Sequence, residues 1–193
     1  TVFNCITGVY APTRGAVGLH GAPIAGLPAW RIAEMGVART FQNIRLFGAM
    51  SVLENVLVAS HRSRRAGFFD AVLRTRRHAE DELAMRVRAM ELLAFFKLDG
   101  AANARASSLP YGDQRRLEIA RALVLGPRVL LLDEPVAGMN EEETEDMARF
   151  ILDIQEERGV TIVLIEHDMG VVMDISDRVT VLSFGQRIAE GTP

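Results

Sequence analysis

Residues that form disulfides and metal sites are scarce in this sequence. Its 193 residues include one cysteine, Cys5, which lies in an apolar stretch, and no group of cysteines and histidines has the spacing of metal ligands. These absences exclude a disulfide framework and a zinc site of the finger type. We interpret Cys5 as a small core residue of a protein in a reducing compartment.

Long apolar runs and a strong charge of either sign are also absent. No apolar stretch approaches the roughly 20 residues that a membrane-spanning helix requires, and we find no signal-peptide pattern. The net charge of −3 gives no indication of binding to nucleic acid. We therefore expect any association with a membrane to come through a partner protein.

The second half of the chain alternates apolar strands with helices. We predict buried strands at Val129–Leu132 and Val160–Ile165, because continuous apolar runs are typical of strands covered on both faces. Between them, Glu141–Glu157 has the periodicity of a helix that Asn140 can cap and Gly159 can end. This order predicts an α/β fold with a mostly parallel sheet.

The middle of the chain is dominated by helical patterns. Ser51 and Glu54 have the spacing of a capping box, and a helix is predicted at Glu80–Phe96 with an apolar face formed by Leu83, Val87, Met90 and Ala94. Arginines crowd residues 61–78, which favours a solvated helical insert; a contact with lipid headgroups or a membrane subunit is the alternative. We predict a single domain, 1–193, with an α/β core at 1–44 and 121–193 and a helical subdomain at 45–120.

Two adjacent acids follow the first of the buried strands. Asp133 and Glu134 come directly after four apolar residues and precede Pro135. In a parallel sheet, ligands bind beyond the carboxyl ends of the strands, and paired carboxylates there suit a magnesium–phosphate site. A strand that runs out into a solvated acidic turn is the alternative, which the apolar run and Pro135 argue against.

Two further segments could contribute to such a site. His167 follows the second buried strand, so it is expected at the same edge of the sheet as Asp133 and Glu134. A glycine-bearing turn at Leu109–Gln114 opens a helix, and the free N–H groups of a helix N-terminus attract anions. Each signal is weak alone, because many histidines cap helices and many helices begin after a glycine.

Together, in this order and spacing, these segments resemble the ABC ATPase family. Asp133 matches the Walker B aspartate, Glu134 the adjacent catalytic glutamate and His167 the switch histidine. Gln42, in Arg-Thr-Phe-Gln, matches the Q-loop, and Gly138–Glu141 matches the D-loop. The nucleotide-contacting residues that the resemblance gives are Gln42, Asp133 and five residues of the signature turn, namely Leu109, Tyr111, Gly112, Asp113 and Gln114.

The resemblance implies a P-loop NTPase core that binds ATP and Mg²⁺. Asp133 and Gln42 are then the residues expected at the metal, while Glu134 and His167 are expected to carry the catalysis. It also implies a second ATP-binding subunit, which supplies the facing signature turn, and permease subunits in the membrane. The expected location is peripheral, on the cytoplasmic face of the inner membrane.

A narrower resemblance concerns the transported substrate. Arg39–Phe47, the Tyr-Gly signature with Arg-Arg-Leu-Glu-Ile-Ala-Arg, and Ile165–Met169 look like the ATP-binding subunits of branched-chain amino acid importers. Such importers also involve an extracytoplasmic solute-binding protein, which this subunit meets only indirectly. The alternatives are a lipid or lipopolysaccharide export ATPase, a DNA-repair or chromosome-structure ATPase, and an ATP-inactive regulatory module.

The sequence departs from the family pattern in two places. The phosphate loop, Gly-x-x-x-x-Gly-Lys-[Ser/Thr], does not occur in residues 1–193, and the single lysine, Lys97, lies far from any glycine loop. We therefore expect a chain truncated at both ends, which alone binds ATP weakly or not at all and hydrolyses it when full length. In the signature turn, Pro110 offers no N–H donor where the family has a serine.

Overall fold

The computed structural model describes residues 1–60 and 76–193, without the side chain of Arg77. The helices are α1 Val2–Ile6, α2 Ala29–Glu34, α3 Val52–Ser60, α4 Arg76–Phe95, α5 Tyr111–Leu123, α6 Glu141–Arg158 and α7 Met169–Ile175. The strands are β1 Gly18–Leu19, β2 Ala22–Pro23, β3 Val37–Arg39, β4 Val129–Asp133, β5 Thr161–Ile165, β6 Val179–Ser183 and β7 Gln186–Gly191.

Three parallel strands in the order β3–β4–β5 form the central sheet. The register pairs Val37 with Val129 on one side of β4 and Asp133 with Ile165 on the other. The remaining strands form two antiparallel hairpins, β1–β2 and β6–β7. The predicted α/β fold with a mostly parallel sheet is confirmed.

The side chains of β4 alternate between two apolar clusters. Leu130 and Leu132 belong to the larger cluster, which the helices line, whereas Leu131 packs with Phe3, Ile24 and other residues of the N-terminal part. All three leucines are at most 1% exposed. The prediction of a strand covered on both faces is therefore confirmed for β4, and this strand fixes the position of Asp133 at its end.

The prediction that Val160–Ile165 is a buried strand is wrong for half of its residues. Thr161, Val163 and Ile165 are exposed, and only the alternate side chains pack toward the core. The reason is position, since within the described residues β5 has β4 as its one strand partner and so lies at an edge of the sheet. An apolar run alone does not show how many faces are covered.

Helix α6 forms as the sequence predicts. The Asn140 side chain accepts the Glu143 N–H at 2.9 Å, the Glu143 carboxylate accepts the Asn140 N–H at 3.1 Å, and Gly159 ends the helix at a φ of 61°. Such a reciprocal cap satisfies two N–H groups that the helix itself leaves free. The buried stripe consists of Met147, Phe150, Ile151 and Ile154.

The helical middle of the chain confirms one prediction and corrects another. Ser51 and Glu54 form the expected capping box of α3. In α4, however, Leu83 and Val87 are at least half exposed, so the predicted apolar face is wrong. Helix α4 contacts α3 and α5, and the buried residues described in it lie in its C-terminal half, namely Ala89, Leu92 and Leu93, with Phe96 just after the helix.

Three further expectations concern the same region. The arginine-rich stretch at 61–78 falls mostly in residues 61–75, which lie outside the described part. Among helices within 1–60 and 76–193, none combines the length and the apolar character needed to cross a membrane. The division into a core and a helical subdomain at residues 44 and 120 stays a prediction.

The cap of α6 gives a stability prediction. We expect Asn140→Ala to lower the free energy of unfolding by about 1 kcal/mol, because it leaves the Glu143 N–H without its acceptor. Equilibrium urea unfolding measures this loss. Asn140→Asp keeps an acceptor and should stay within a few tenths of a kcal/mol of the wild type; equal losses for the two variants would contradict the role of the cap.

Candidate functional site

The carboxyl ends of β4 and β5 meet at one edge of the sheet because the strands are parallel. Asp133 is the last residue of β4, and the N–H of Glu134 donates to the carbonyl of Ile165 at 2.9 Å. His167 lies two residues beyond β5, at the same edge. Two acids and an imidazole therefore follow neighbouring strands at the place where ligands bind in parallel sheets.

A fixed arginine holds the carboxylate of Asp133. The guanidinium of Arg39 donates to Asp133 Oδ2 at 2.7 Å and to Asn4 Oδ1 at 2.5 Å. The same group lies 5.4 Å from the ring centre of Phe3 and 5.3 Å from that of Phe41. Both partners of the ion pair are largely shielded from solvent. Asp133 is thus oriented by a cation that the sequence patterns did not single out.

The backbone of Glu134 adopts a conformation that is unusual for a residue with a side chain. Its φ is 49°, in the left-handed region, where non-glycine residues pay a cost of order 1 kcal/mol or more. In this conformation its Oε2 accepts a hydrogen bond from Gln42 Nε2 at 3.0 Å. Backbone strain of this kind often marks a functional position, and here the strained residue is the one that bonds to Gln42.

His167 keeps most of its imidazole in solvent. Its side chain is 75% exposed, and its Nδ1 lies 4.0 Å from Glu166 Oε2. The Glu166 side chain is fully shielded and accepts the N–H groups of Val136 at 3.0 Å and His167 at 3.1 Å. Glu166 therefore ties the loop after β4 to the loop after β5, which fixes the two ends relative to each other.

The turn at Leu109–Gln114 packs against the segment that begins α6. Gln114 Nε2 donates to the Leu109 carbonyl at 2.9 Å, and Asp113 pairs with Arg116 at 3.3 Å. A side chain at Gly112 would come within 2.8 Å of Glu143 Oε1. In the described parts of the chain, no hydrogen bond or ion pair joins this turn to Asp133 or Glu134, so the two groups do not form one cluster.

A buried ion pair on α5 contacts the segment that carries Gln42. Arg115 and Glu118 have side chains 5% and 2% exposed and lie 3.5 Å apart. Arg115 donates to the carbonyls of Phe41 and Gln42, and Glu118 accepts the N–H groups of Phe41 and Arg45. The sequence patterns did not indicate this pair, because charges three residues apart are ordinary on exposed helices.

Burial determines the ionisation of this part of α5. Burial raises the pKa of Glu118 above its ordinary value of 4.5, although Arg115 and the N–H groups of Arg45 and Phe41 act in the opposite direction. Burial also lowers the pKa of Arg121, which Glu118 partly offsets. Burial therefore raises the pKa of Glu118 by more than Arg115 and the N–H groups lower it.

The oxygen ligands at the sheet edge suit a magnesium ion that is coordinated by both the protein and a phosphate group. Asp133, Glu134 and Gln42 offer two carboxylates and one amide, and Mg²⁺ prefers oxygen ligands. Within residues 1–60 and 76–193, no group of three or more His, Cys, Asp and Glu side chains is arranged to hold a metal by itself. Mg²⁺ generally takes one or two carboxylates from the protein and completes its shell with waters and substrate phosphates.

An open cleft lies beside the Gln42 segment. It has a volume of about 450 Å³ and is lined by Phe41, Arg45, Leu46, Phe47, Val58, Ala59 and Arg121. Phe47 and Val58 are about half exposed there. The cleft is therefore mostly apolar and open to another molecule.

Known proteins resemble the chain over its whole length. A family model described as "ABC transporter" matches residues 1–137. The "High-affinity branched-chain amino acid transport ATP-binding protein LivG" of Escherichia coli (strain K12) is 48% identical over all of this chain and 76% of its own length. The protein of that description named BraF, from Pseudomonas aeruginosa, is 47% identical with the same coverage.

Solved structures of ATP-binding cassettes share the fold. The ADP conformation of MJ1267, an ATP-binding cassette of an ABC transporter, superposes with a TM-score of 0.83 at 29% identity, over 100% of this chain and 74% of that one. A dimeric post-hydrolysis state of the cassette MJ0796, bound to ADP and Pi, gives 0.80 at 26% identity, over 99% and 78%.

The pKa of Glu118 predicts how stability depends on pH. Because its pKa is higher in the folded protein than in the unfolded chain, the folded state binds more protons above about pH 4.5. The contribution of Glu118 to the free energy of unfolding is fully present below that pH. It is lost as pH rises through the pKa that Glu118 has in the folded protein. We expect the free energy of unfolding of Glu118→Gln to rise relative to that of the wild type as pH increases above about 4.5.

Urea unfolding at several pH values measures this difference. Glu157→Gln serves as a control, because Glu157 is an exposed glutamate near the end of α6. A stability difference between Glu118→Gln and the wild type that stays constant with pH, or falls as pH rises, would contradict the predicted direction.

Proposed function

Because the chain belongs to the ABC transporter family of ATP-binding proteins, we propose that it hydrolyses ATP to drive the import of branched-chain amino acids. The observation that carries the proposal is the meeting of Gln42 and Glu134 beside Asp133, at the carboxyl edge of the parallel sheet. Likeness over the whole chain to importer subunits supports the substrate class. The transported amino acid need not touch this subunit.

In the proposed reaction, Glu134 polarises the water that attacks the γ-phosphate. Its carboxylate is held by the amide of Gln42, so the base is oriented before the substrate arrives. His167, with an exposed imidazole at the same edge, would contact the γ-phosphate and stabilise charge that develops on it. Gln42 would respond to the γ-phosphate, and its movement would displace the chain segment that carries it.

Asp133 and Gln42 would hold the Mg²⁺ ion. When bound, Mg²⁺ neutralises negative charge on the phosphate oxygens. Arg39 donates to Oδ2 of Asp133, so the other carboxylate oxygen, Oδ1, would serve the ion or a water on it. Arg39 also donates to Asn4 and lies over two aromatic rings, which hold its guanidinium beside Asp133.

A second ATP-binding subunit completes the proposed site. Residues Leu109, Tyr111, Gly112, Asp113 and Gln114 would face the nucleotide of the partner. In the described residues no hydrogen bond or ion pair joins them to Asp133 or Glu134, and Gly112 lies beside Glu143 of α6. The proposal is supported by an exposed Tyr111 at the start of α5, where free N–H groups attract phosphate. Nucleic acid is not among the proposed partners.

Permease subunits are the proposed membrane partners. The apolar cleft beside Phe41 and Phe47 lies next to the Gln42 segment, so a permease helix seated there would sense movement of Gln42. Through this contact the subunit would lie on the cytoplasmic face of the inner membrane. An extracytoplasmic solute-binding protein would act on it only through the permease.

The proposed role of Glu134 predicts a separation of binding from turnover. In the full-length subunit, Glu134→Gln should lower ATP turnover by about 100-fold or more, because an amide cannot accept the proton of water. The affinity for ATP should change little, since the side chain keeps its size. Phosphate release measures turnover, and calorimetry measures binding. Normal turnover in this variant would refute the role; Glu157→Gln is the matched control and should turn over normally.

A further inference from the structure

The Arg115–Glu118 pair holds a stretch of chain that has no regular secondary structure. Residues 41–45 belong to no helix and no strand. Arg115 donates to the carbonyls of Phe41 at 2.9 Å and Gln42 at 2.5 Å. Glu118 Oε1 accepts the N–H groups of Phe41 and Arg45, each at 3.4 Å. Four backbone groups around Gln42 are therefore bonded to two side chains of one helix.

The geometry of this attachment is stiff. A guanidinium presents its donors in a planar fork, so two bonds from one arginine fix the distance and the relative orientation of the two successive carbonyls that accept them. The side chains of Arg115 and Glu118 are almost completely buried, which limits their rotation. The backbone at Phe41 and Gln42 must therefore follow any displacement of α5.

Helix α5 also begins at the signature turn. Arg115 Nε donates to the Tyr111 hydroxyl at 3.2 Å, so the same side chain contacts both the first residue of the helix and the Gln42 segment. Gln42 in turn donates to Glu134. A continuous series of hydrogen bonds thus runs from Tyr111 through Arg115 to Gln42 and Glu134.

We propose that Arg115 and Glu118 are positioning residues that attach Gln42 to α5, so that the signature turn and Gln42 move as one body. The inference rests on the proposed function for its consequence, namely that rearrangement of the signature turn at a partner subunit displaces Gln42. Its structural part, the attachment itself, does not depend on ATP. Two experiments test the two parts separately.

Hydrogen exchange of the full-length subunit without nucleotide tests the attachment. Arg115→Met should speed exchange of the Phe41 and Arg45 amides by about tenfold or more, because these N–H groups donate to Glu118, the partner of Arg115. Arg116→Met is the matched control, because Arg116 is the next residue of α5 and pairs with Asp113 and Asp146 instead. Equal exchange in residues 41–45 for these two variants would overturn the proposal.

Arg115→Lys tests whether the planar guanidinium of Arg115 or only its positive charge holds residues 41–45. Lysine keeps a positive charge near Glu118 but cannot hold two carbonyls in one plane, so exchange should stay faster than in the wild type. Wild-type protection in Arg115→Lys would mean that charge alone suffices, and the positioning role of the fork would be lost. Because this variant retains a cation in the buried site, it also controls for a general failure to fold.

A double-mutant experiment tests whether Arg115 acts through Gln42. In the transporter assembled with its permease subunits, Arg115→Met should lower ATP turnover, and this loss should disappear when Gln42→Ala is already present. The loss caused by Arg116→Met, if any, should persist in that background. Losses from Arg115→Met and Gln42→Ala that multiply would overturn the proposal.

The outcomes distinguish the two claims. If the wild-type transporter does not hydrolyse ATP, the proposed function fails, while the exchange result still decides whether Arg115 and Glu118 hold residues 41–45. If turnover is normal in the wild type but exchange does not respond to Arg115→Met, the attachment fails and the proposed function stands.

Discussion

Parallel pairing of β4 with β5 is the constraint on which the candidate site depends. It aligns Asp133 with Ile165, so Glu134 and His167 leave the sheet at the same edge. Three buried leucines anchor β4 between two apolar clusters, and complete burial of each contributes about 1.5–3 kcal/mol. The position of the acids is therefore set by the core, whereas the positions of their partners are set by hydrogen bonds made at the edge.

Hydrogen bonds to the Gln42 segment explain why the buried charges of Arg115 and Glu118 are retained beside the site. Exposed ion pairs contribute about 0–1 kcal/mol, and burying a pair costs solvation that its mutual attraction often fails to return. Burial, which imposes that cost, also raises the pKa of Glu118. Arg115 and Glu118 nevertheless make hydrogen bonds to four backbone groups of an irregular segment. Their benefit lies in where they hold Gln42.

The sequence predicted elements whose signals are local. The cap and stripe of α6, the buried strand β4 and the parallel sheet follow from periodicity and terminal residues. The exposed face of β5 and the exposed half of α4 were predicted wrongly, because burial depends on which elements pack nearby and not on the residues alone. Contacts of Arg39 with Asp133 and of Arg115 with Gln42 join residues 94 and 73 positions apart, a separation that no local pattern encodes.

We propose that Mg²⁺ and ATP bind together at the edge of the sheet that carries Asp133. Calorimetric titration of the full-length subunit with ATP, with and without Mg²⁺, tests it most directly. We expect Mg²⁺ to strengthen ATP binding in the wild type, and Asp133→Asn to abolish most of that increase, because the amide has lost the charge that attracts the ion. An equal effect of Mg²⁺ on both proteins would contradict the account.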